Sequence, residues 1–207
     1  MKKTQAFTLI ELLIVVAIIA ILAAIAVPNF LEAQTRAKVS RAKADIRSLA
    51  TALESYAVDW NKLPWDEEPP YPDGPPDGAY VFYVPSAITT PTAFITNNKL
   101  IDPFRDKTAP ADVDLRRFRY INYDYRINKY KSSAPGWWDP GKERCGAWKL
   151  SSSGPDNTAD MPLDTDGRRF NRFACVDPPT IYDSTNGTMS WGDIIRTQKS
   201  SDMQNPN

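Results

Sequence analysis

The hydrophobic and polar positions divide the chain into an apolar N-terminal segment, an amphipathic continuation and a mixed remainder. From Leu12 to Val27 every residue is Ala, Val, Ile or Leu, and the largely apolar stretch has 21 positions when counted from Phe7. A helix of that length measures about 31 Å, which is enough to cross the hydrocarbon core of a bilayer. The pattern therefore predicts a membrane-spanning helix that carries one acid, Glu11, near its start.

The apolar positions beyond Pro28 recur at alternating intervals of three and four residues, which is the spacing of one helix face. These positions are Val39, Ala42, Ile46, Leu49, Leu53, Tyr56 and Trp60. Neither glycine nor proline occurs in residues 29–63, so one helix of about 50 residues is predicted from about Thr8 to Asp59, with a bend or weak point at Pro28. We interpret the stripe as a face that docks on the C-terminal part of the chain, because fewer than four clean heptads argue against a coiled-coil seam.

Beyond Leu63, turn residues and alternating patterns replace the helical spacing. Residues 65–78 contain five acids and no base among prolines and glycines, and we interpret them as a solvated acidic connector, with a partner-facing acidic patch as the alternative. Strands are predicted at 80–84, at 118–127 (one strand with a bulge, or two strands) and at 146–151, and a short helix from Thr90-Pro91 through Phe94 and Ile95. The predicted fold class is α+β: one long N-terminal helix packed on a small antiparallel sheet, with a loop-rich C-terminal region.

Charge and composition narrow the function. The chain has 25 basic and 25 acidic residues, and a net charge of zero gives no overall attraction to nucleic acid or to anionic lipid. It has no histidine, which removes the commonest general base and the commonest metal ligand. The composition favours a structural role over an enzymatic one, and no nucleic-acid partner is predicted.

Glu11 calls for a compensating partner, because a charge within hydrocarbon is costly unless it is paired. The alternative is a carboxylate that reaches the interface and stays unpartnered. The segment as a whole has another interpretation, since Lys2-Lys3, the apolar run and Ala24-Ile25-Ala26 fit a removable secretory signal with a small-x-small cleavage site. The length of the apolar run, its early acid and the continuing helix argue against such a signal.

The leader Met1–Ala6, followed by Phe7-Thr-Leu-Ile-Glu11, the apolar run and Pro28, resembles the N terminus of type IV pilins and type II secretion pseudopilins. The resemblance implies that a prepilin peptidase cuts between Ala6 and Phe7 and methylates the new amine; Ala6 departs from the glycine that is usual in the family. It also implies that Glu11 of one subunit pairs with the Phe7 amine of the next, and Glu11, Phe7 and Pro28 are the residues expected to take part in assembly. Such pairing favours staggered, side-by-side assembly of copies over a lone helix in lipid.

Weaker likenesses continue into the second part of the chain. Residues 52–64, Ile101-Asp-Pro-Phe104, 120–123 and 148–156 resemble elements of the major pseudopilin, and residues 182–196 resemble a C-terminal signature of pilin-like proteins. The resemblance implies a calcium ion in a C-terminal loop, for which the candidate ligands are Asp156, Asp160, Asp164 and Asp166. Because their spacing is not that of an EF-hand, solvated acids are the favoured alternative, and no cofactor is required.

Cys145 and Cys175 both follow the membrane segment, where an exported domain meets oxidising conditions. We predict a disulfide between them, with two free thiols as the alternative. A disulfide that closes this loop lowers the conformational entropy of the unfolded chain, and that effect stabilises the fold by roughly 3 to 4 kcal/mol.

The predicted organisation is a leader (1–6), a transmembrane and filament-core helix (7–30), an amphipathic helix (31–63), a globular α+β head (64–197) and a disordered tail (198–207). The expected function is that of a structural subunit of a type II secretion pseudopilus. A type IV pilus for adhesion, motility or DNA uptake is one alternative, and an exported soluble binding module that begins near Val27 is another.

The expected partners are other copies in a helical filament, a prepilin peptidase, an inner-membrane assembly platform and minor pseudopilins or pilins. Before assembly the subunit is expected to lie in the bacterial inner membrane as a single-pass protein with its head in the periplasm.

Overall fold

The computed structural model describes residues 8–66, 83–105, 116–132, 135–136, 138–155, 182 and 192–200. Its elements are helix α1 (Leu9–Trp60), a 3₁₀ turn (Ser86–Ile88), strand β1 (Arg119–Asn122), helix α2 (Tyr123–Lys129), helix α3 (Asp139–Cys145), strand β2 (Trp148–Ser152) and strand β3 (Ile194–Thr197). The three strands form an antiparallel sheet in the order β1-β2-β3. The predicted α+β class is confirmed.

Helix α1 runs for 52 residues and agrees with the predicted helix to within one residue at each end. Thr8 caps its start, and Pro28 lies inside it. The helix ends where Asn61 takes a left-handed conformation with φ of 50°, which is a common way for a helix to terminate. The helix thus continues through Pro28, although a proline inside a helix removes one backbone hydrogen bond.

The apolar stripe of α1 docks on the sheet, as predicted. Ala42, Ile46, Leu49 and Leu53 are fully buried. They share one core with residues of the sheet and its connections: Phe104, Phe118, Tyr120, Trp148, Leu150 and Ile194. Each buried side chain of leucine size contributes about 1.5 to 3 kcal/mol, so the stripe is the main attachment of helix to head. Trp60 departs from the pattern, because it is 45% exposed and stacks on Tyr56 with ring centroids 5.9 Å apart.

The sheet registers place alternate residues on the face that meets α1. Tyr120 of β1 stands opposite Leu150 of β2, and both are fully buried in the core. Ile121 and Lys149 form the neighbouring pair. Because successive side chains of a strand point to opposite faces of the sheet, this pair lies on the other face. The predicted strand at 146–151 is confirmed as β2, whereas β3 was not predicted.

The prediction for residues 118–127 was wrong in its second half. Strand β1 ends at Asn122, and Tyr123–Lys129 form helix α2. The Asn122 side chain accepts a hydrogen bond from Tyr125 N at 3.0 Å and so caps a helix at the point where the alternation slips. Tyr123 and Arg126 are both buried at helical spacing, and that spacing decides the structure.

The helix predicted from Thr90-Pro91 was also wrong. Phe94 N and Ile95 N both donate to Ile88 O, at 3.0 Å and 3.4 Å, so these amides close a wider turn. Residues 94–96 are bends, and the only helical geometry nearby is the 3₁₀ turn that precedes them. Of the strand predicted at 80–84, the structure describes Tyr83 and Val84, and Tyr83 forms an isolated bridge with Arg119.

Candidate assembly surface and head anchors

The first half of α1 is an exposed apolar surface. Every residue from Leu9 to Leu31 is exposed, and Leu9 keeps 81% of its accessible area. Among the described residues, one helix is long and apolar enough to cross a membrane, by length and composition. Apolar area of this extent marks contact with lipid or with other proteins. Pro28, predicted to take part in assembly, lies within this surface.

Glu11 lies in the first turn of α1 and takes part in a capping box. Its Oε2 accepts hydrogen bonds from Thr8 N at 2.8 Å and from Thr8 Oγ1 at 2.7 Å, and Glu11 N donates to Thr8 Oγ1 at 3.3 Å. This motif satisfies backbone donors that a helix start leaves open. The capping box was not among the predictions, although the spacing Thr8-x-x-Glu11 is its signature.

The capping box leaves one carboxylate oxygen available. Both bonds from Thr8 end on Oε2, and Oε1 of Glu11 makes no hydrogen bond with any residue that the structure describes. The carboxylate can therefore hold its own helix start and accept a further donor. The predicted processing residues Ala6 and Phe7 lie outside the described residues, so the predicted pairing with Phe7 stays a prediction.

The other predicted site residues are mostly outside the described part of the chain. Cys145 is fully buried at the end of α3, and its Sγ lies 3.2 Å from Tyr123 Oη. Its predicted partner Cys175 is outside the described residues, as are the candidate calcium ligands Asp156, Asp160, Asp164 and Asp166. The described residues contain no cluster of three or more acids or cysteines suited to a metal ion.

A buried ion pair fixes the chain where it leaves α1. Arg126 Nε donates to Asp66 Oδ2 at 2.8 Å, with the two side chains 1% and 0% exposed. The same oxygen accepts a hydrogen bond from Asn122 N at 3.2 Å. The interpretation of residues 65–78 as a solvated connector was wrong for Asp66, because Arg126 draws its carboxylate into the head. Residues 67–78 lie outside the described part.

Three aromatic rings lie close to the Arg126 guanidinium. Its centre lies 5.8 Å from the ring centroid of Tyr125, 5.9 Å from that of Tyr130 and 5.8 Å from that of Trp138. Ring faces attract a cation most strongly where water is excluded. The charge of Arg126 is thus compensated by one carboxylate and by aromatic faces.

Two further hydrogen bonds fasten the exit of α1 to strand β1. Pro64 O accepts from Tyr120 Oη and from Asn122 Nδ2, each at 3.0 Å. Burial raises the pKa of Tyr120 well above its usual value, so the hydroxyl stays a donor. The helix is therefore joined to the head by polar bonds as well as by its apolar stripe.

Asp102 connects a turn to the end of β2. Its Oδ1 accepts from Phe104 N at 3.0 Å and from Ser152 Oγ at 2.7 Å, and its Oδ2 accepts from Ser153 N at 2.8 Å. Burial raises the pKa of this carboxyl, against the lowering effect of these hydrogen bonds. The Asp-Pro-aromatic turn identified in the sequence thus has a structural role.

The long helix with its exposed apolar first half, attached to a small antiparallel sheet, defines a pilin-like α+β fold. Residues 1–27 match the family model described as the prokaryotic N-terminal methylation motif. The chain therefore carries a pilin-type processing motif at the start of a pilin-like fold, as the sequence predicted.

Comparison with known proteins finds two kinds of relative. The type IV major pilin PilA of Myxococcus xanthus is 57% identical over 54 residues, which are 26% of this chain and 24% of that pilin. Type II secretion system core protein G is 45% identical in Pseudomonas aeruginosa over 58 residues (28% of this chain, 41% of the relative) and 32% identical in Aeromonas hydrophila over 95 residues (41% and 66%). The chain thus spans only a quarter to two fifths of the length of several relatives that it matches. No solved structure gives a significant match.

These relatives are structural components of pili or of a secretion system rather than enzymes. Both kinds of relative match this chain, and the matched methylation motif lies in residues 1–27. The similarity supports a pilin-like filament subunit and leaves the choice between the two systems open.

Proposed function

We propose that this chain is the subunit of a type II secretion pseudopilus, a helical filament that drives protein export across the cell envelope. The supporting observation is the similarity to core protein G of Aeromonas hydrophila, which extends over 95 residues and covers 66% of that protein. A match of that length is longer than α1, so it includes part of the head. The likeness of the Asp102 turn to the major pseudopilin adds to this support.

A subunit of a type IV pilus is the second candidate. It is favoured by the 57% identity over 54 residues with the pilin of Myxococcus xanthus. That match covers 24% of the pilin, against 66% for core protein G of Aeromonas hydrophila. We therefore rank it second.

In the proposed mechanism the apolar half of α1 first anchors the subunit in the inner membrane, with the head in the periplasm. A prepilin peptidase cuts between Ala6 and Phe7, and the new terminal amine is methylated. The inner-membrane assembly platform then brings copies together, and Glu11 of one copy receives the Phe7 amine of the next on its available Oε1. Burial of exposed apolar area between neighbouring helices stabilises the filament.

Deleting the gene and comparing two phenotypes tests this proposal. Loss of exported proteins from the medium with surface fibres intact supports the pseudopilus, whereas loss of long surface fibres with normal export supports the pilus.

Mass spectrometry of the native N terminus tests the processing step. A methylated Phe7 supports it, and a chain that begins near Val27 would identify the exported binding module instead.

Calcium at the four aspartates is a separate proposal. Calcium prefers six to eight oxygen ligands, and four carboxylates within eleven residues supply a suitable set. If the site exists, millimolar calcium raises the melting temperature of the full chain and a chelator lowers it. An unchanged melting temperature would mean that these acids are solvated.

A further inference from the structure

The second half of α1 exposes a charged line of residues on the side away from the head. Arg47 and Glu54 are seven residues apart, which is close to two helical turns, so both side chains project from the same side, about 10.5 Å apart along the axis. Arg36, Ser40 and Val58 fall on the same line. All five are exposed, and we call them the outer stripe.

Arg47 and Glu54 make no ion pair with any residue in the described part of the chain. Other charges on this helix do form such pairs: Arg36 contacts Glu32 at 2.6 Å, and Arg41 contacts Asp45 at 3.6 Å. Arg47 and Glu54 are too far apart along the axis to pair with each other comfortably within one helix. The outer stripe therefore carries a base and an acid available to another molecule.

A second copy of the chain fits this arrangement better than an unrelated partner does. The outer stripe continues the helix whose first half must be covered, and it carries both signs of charge in a fixed order. If two parallel helices lie in register, Arg47 stands beside Arg47, and like charges repel. If one copy is shifted by seven residues, its Arg47 stands beside Glu54 of the other.

The direction of this shift agrees with that of the proposed terminal pairing. For the Phe7 amine of an upper copy to meet Glu11 of a lower copy, the upper copy must be displaced toward the head by about four residues, or about 6 Å. A shift of seven residues in the same direction is about 10.5 Å. The difference of about 4.5 Å is within the combined reach of arginine and glutamate side chains.

We propose that Arg47 of one copy pairs with Glu54 of the copy below it in the filament, and that this second contact sets the axial stagger of the heads. The inference rests on the proposed filament and adds the partner surface of the second half of α1. Assembly then depends on two charge pairs, Phe7 with Glu11 in the first half of the helix and Arg47 with Glu54 in the second half. In both pairs the residue nearer the N terminus belongs to the upper copy.

Charge reversal and charge exchange test the pairing. The variants are Arg47→Glu, Glu54→Arg and the double exchange Arg47→Glu/Glu54→Arg, each expressed as the full chain with its assembly machinery. Sheared and pelleted filament is the measured quantity. Each single variant should lose filament roughly fivefold or more, because every interface then holds two like charges, and the double exchange should recover most of it.

The matched control is Lys62→Glu, which reverses one exposed charge just beyond the end of α1. It should leave filament yield unchanged, and thermal unfolding in detergent should be the same for all four variants. Normal yield from both single variants, or no recovery in the double exchange, would overturn the pairing while the filament itself stands. Absence of filament from the wild-type chain would instead overturn the proposed function, and the pairing with it.

Discussion

Asp66 and Arg126 form a buried ion pair between residues 60 positions apart in the sequence, with 2.8 Å between Oδ2 and Nε. Asp66 lies just beyond α1, and Arg126 lies on α2, so the pair joins the exit of the long helix to the head. Because both side chains are buried, loss of either partner leaves an uncompensated charge inside the head, so the pair has consequences for stability.

Arg126→Met should destabilise the folded head by about 3 to 5 kcal/mol, because it leaves the Asp66 carboxylate buried without its counter-charge. Thermal unfolding of the full chain in detergent measures the effect. Lys142→Met is the control, since it removes a pair with Asp124 in which both side chains are about half exposed, and pairs of that kind contribute only about 0 to 1 kcal/mol. Equal losses in the two variants would contradict the role assigned to burial.

The long helix could be predicted from the sequence because its evidence is local. The spacing of apolar residues from Val39 to Tyr56 defines one face, and burial of that face follows from the same pattern. The capping box of Thr8 and Glu11 was also present in the sequence. An acid in an apolar run indicates a charge in need of a partner as readily as it indicates a helix cap, so the capping box was not among the predictions.

The head could be predicted only in outline, because its decisive contacts join distant residues. The slip in the alternation marks Asn122, but it does not show whether a bulge or a helix cap follows, and the ion pair between Asp66 and Arg126 has no local signal. Strand β3 pairs with β2 across more than 40 residues, so no local pattern marks it. Tertiary contacts override local propensity in such segments.

Gly154 should not tolerate a side chain. It has φ of +66°, and a Cβ would overlap the carbonyl oxygen of Gly192, just before β3. Gly136 is a matched control, because its φ is +75° but a Cβ there would meet only Asp139 Oδ2 at 3.5 Å. Both alanine variants carry the left-handed cost of about 1 to 2 kcal/mol, and Gly154→Ala should lose about 1 to 3 kcal/mol more. Denaturant unfolding that ranks Gly136→Ala as the weaker protein would exclude this close approach.

Lys149 gives the head a pH dependence of definite sign. It is buried in β2, and burial lowers the pKa of its ammonium to about 8, against the attraction of Asp193. An unfolded lysine has a pKa of about 10.4, so between about pH 8 and pH 10 the unfolded state binds more protons. The free energy of unfolding contributed by Lys149 therefore rises with pH across that window.

Urea unfolding of the wild type and of Lys149→Met, repeated from neutral pH to about pH 10, tests this sign. The stability of the wild type relative to the variant should increase through the window. A difference that stays flat or falls with pH would mean that the ammonium of Lys149 is not desolvated in the folded head.

The proposed disulfide between Cys145 and Cys175 should contribute roughly 3 to 4 kcal/mol to head stability. A reductant should lower the melting temperature of the wild type and leave that of Cys145→Ser/Cys175→Ser unchanged. Peptide mapping without reduction identifies the bond directly. Recovery of both cysteines as separately alkylated thiols from exported protein would rule it out.

Replacing Glu11 separates its two roles. Glu11→Gln keeps an oxygen that accepts the hydrogen bonds from Thr8 N and Thr8 Oγ1, but it removes the charge that the Phe7 amine is proposed to meet. Glu11→Ala removes both the cap and the charge. If the charge drives assembly, both variants should be processed normally and should fail equally to form filament of wild-type register. Filament from Glu11→Gln at wild-type yield, with none from Glu11→Ala, would assign Glu11 to the helix start and not to a neighbouring copy.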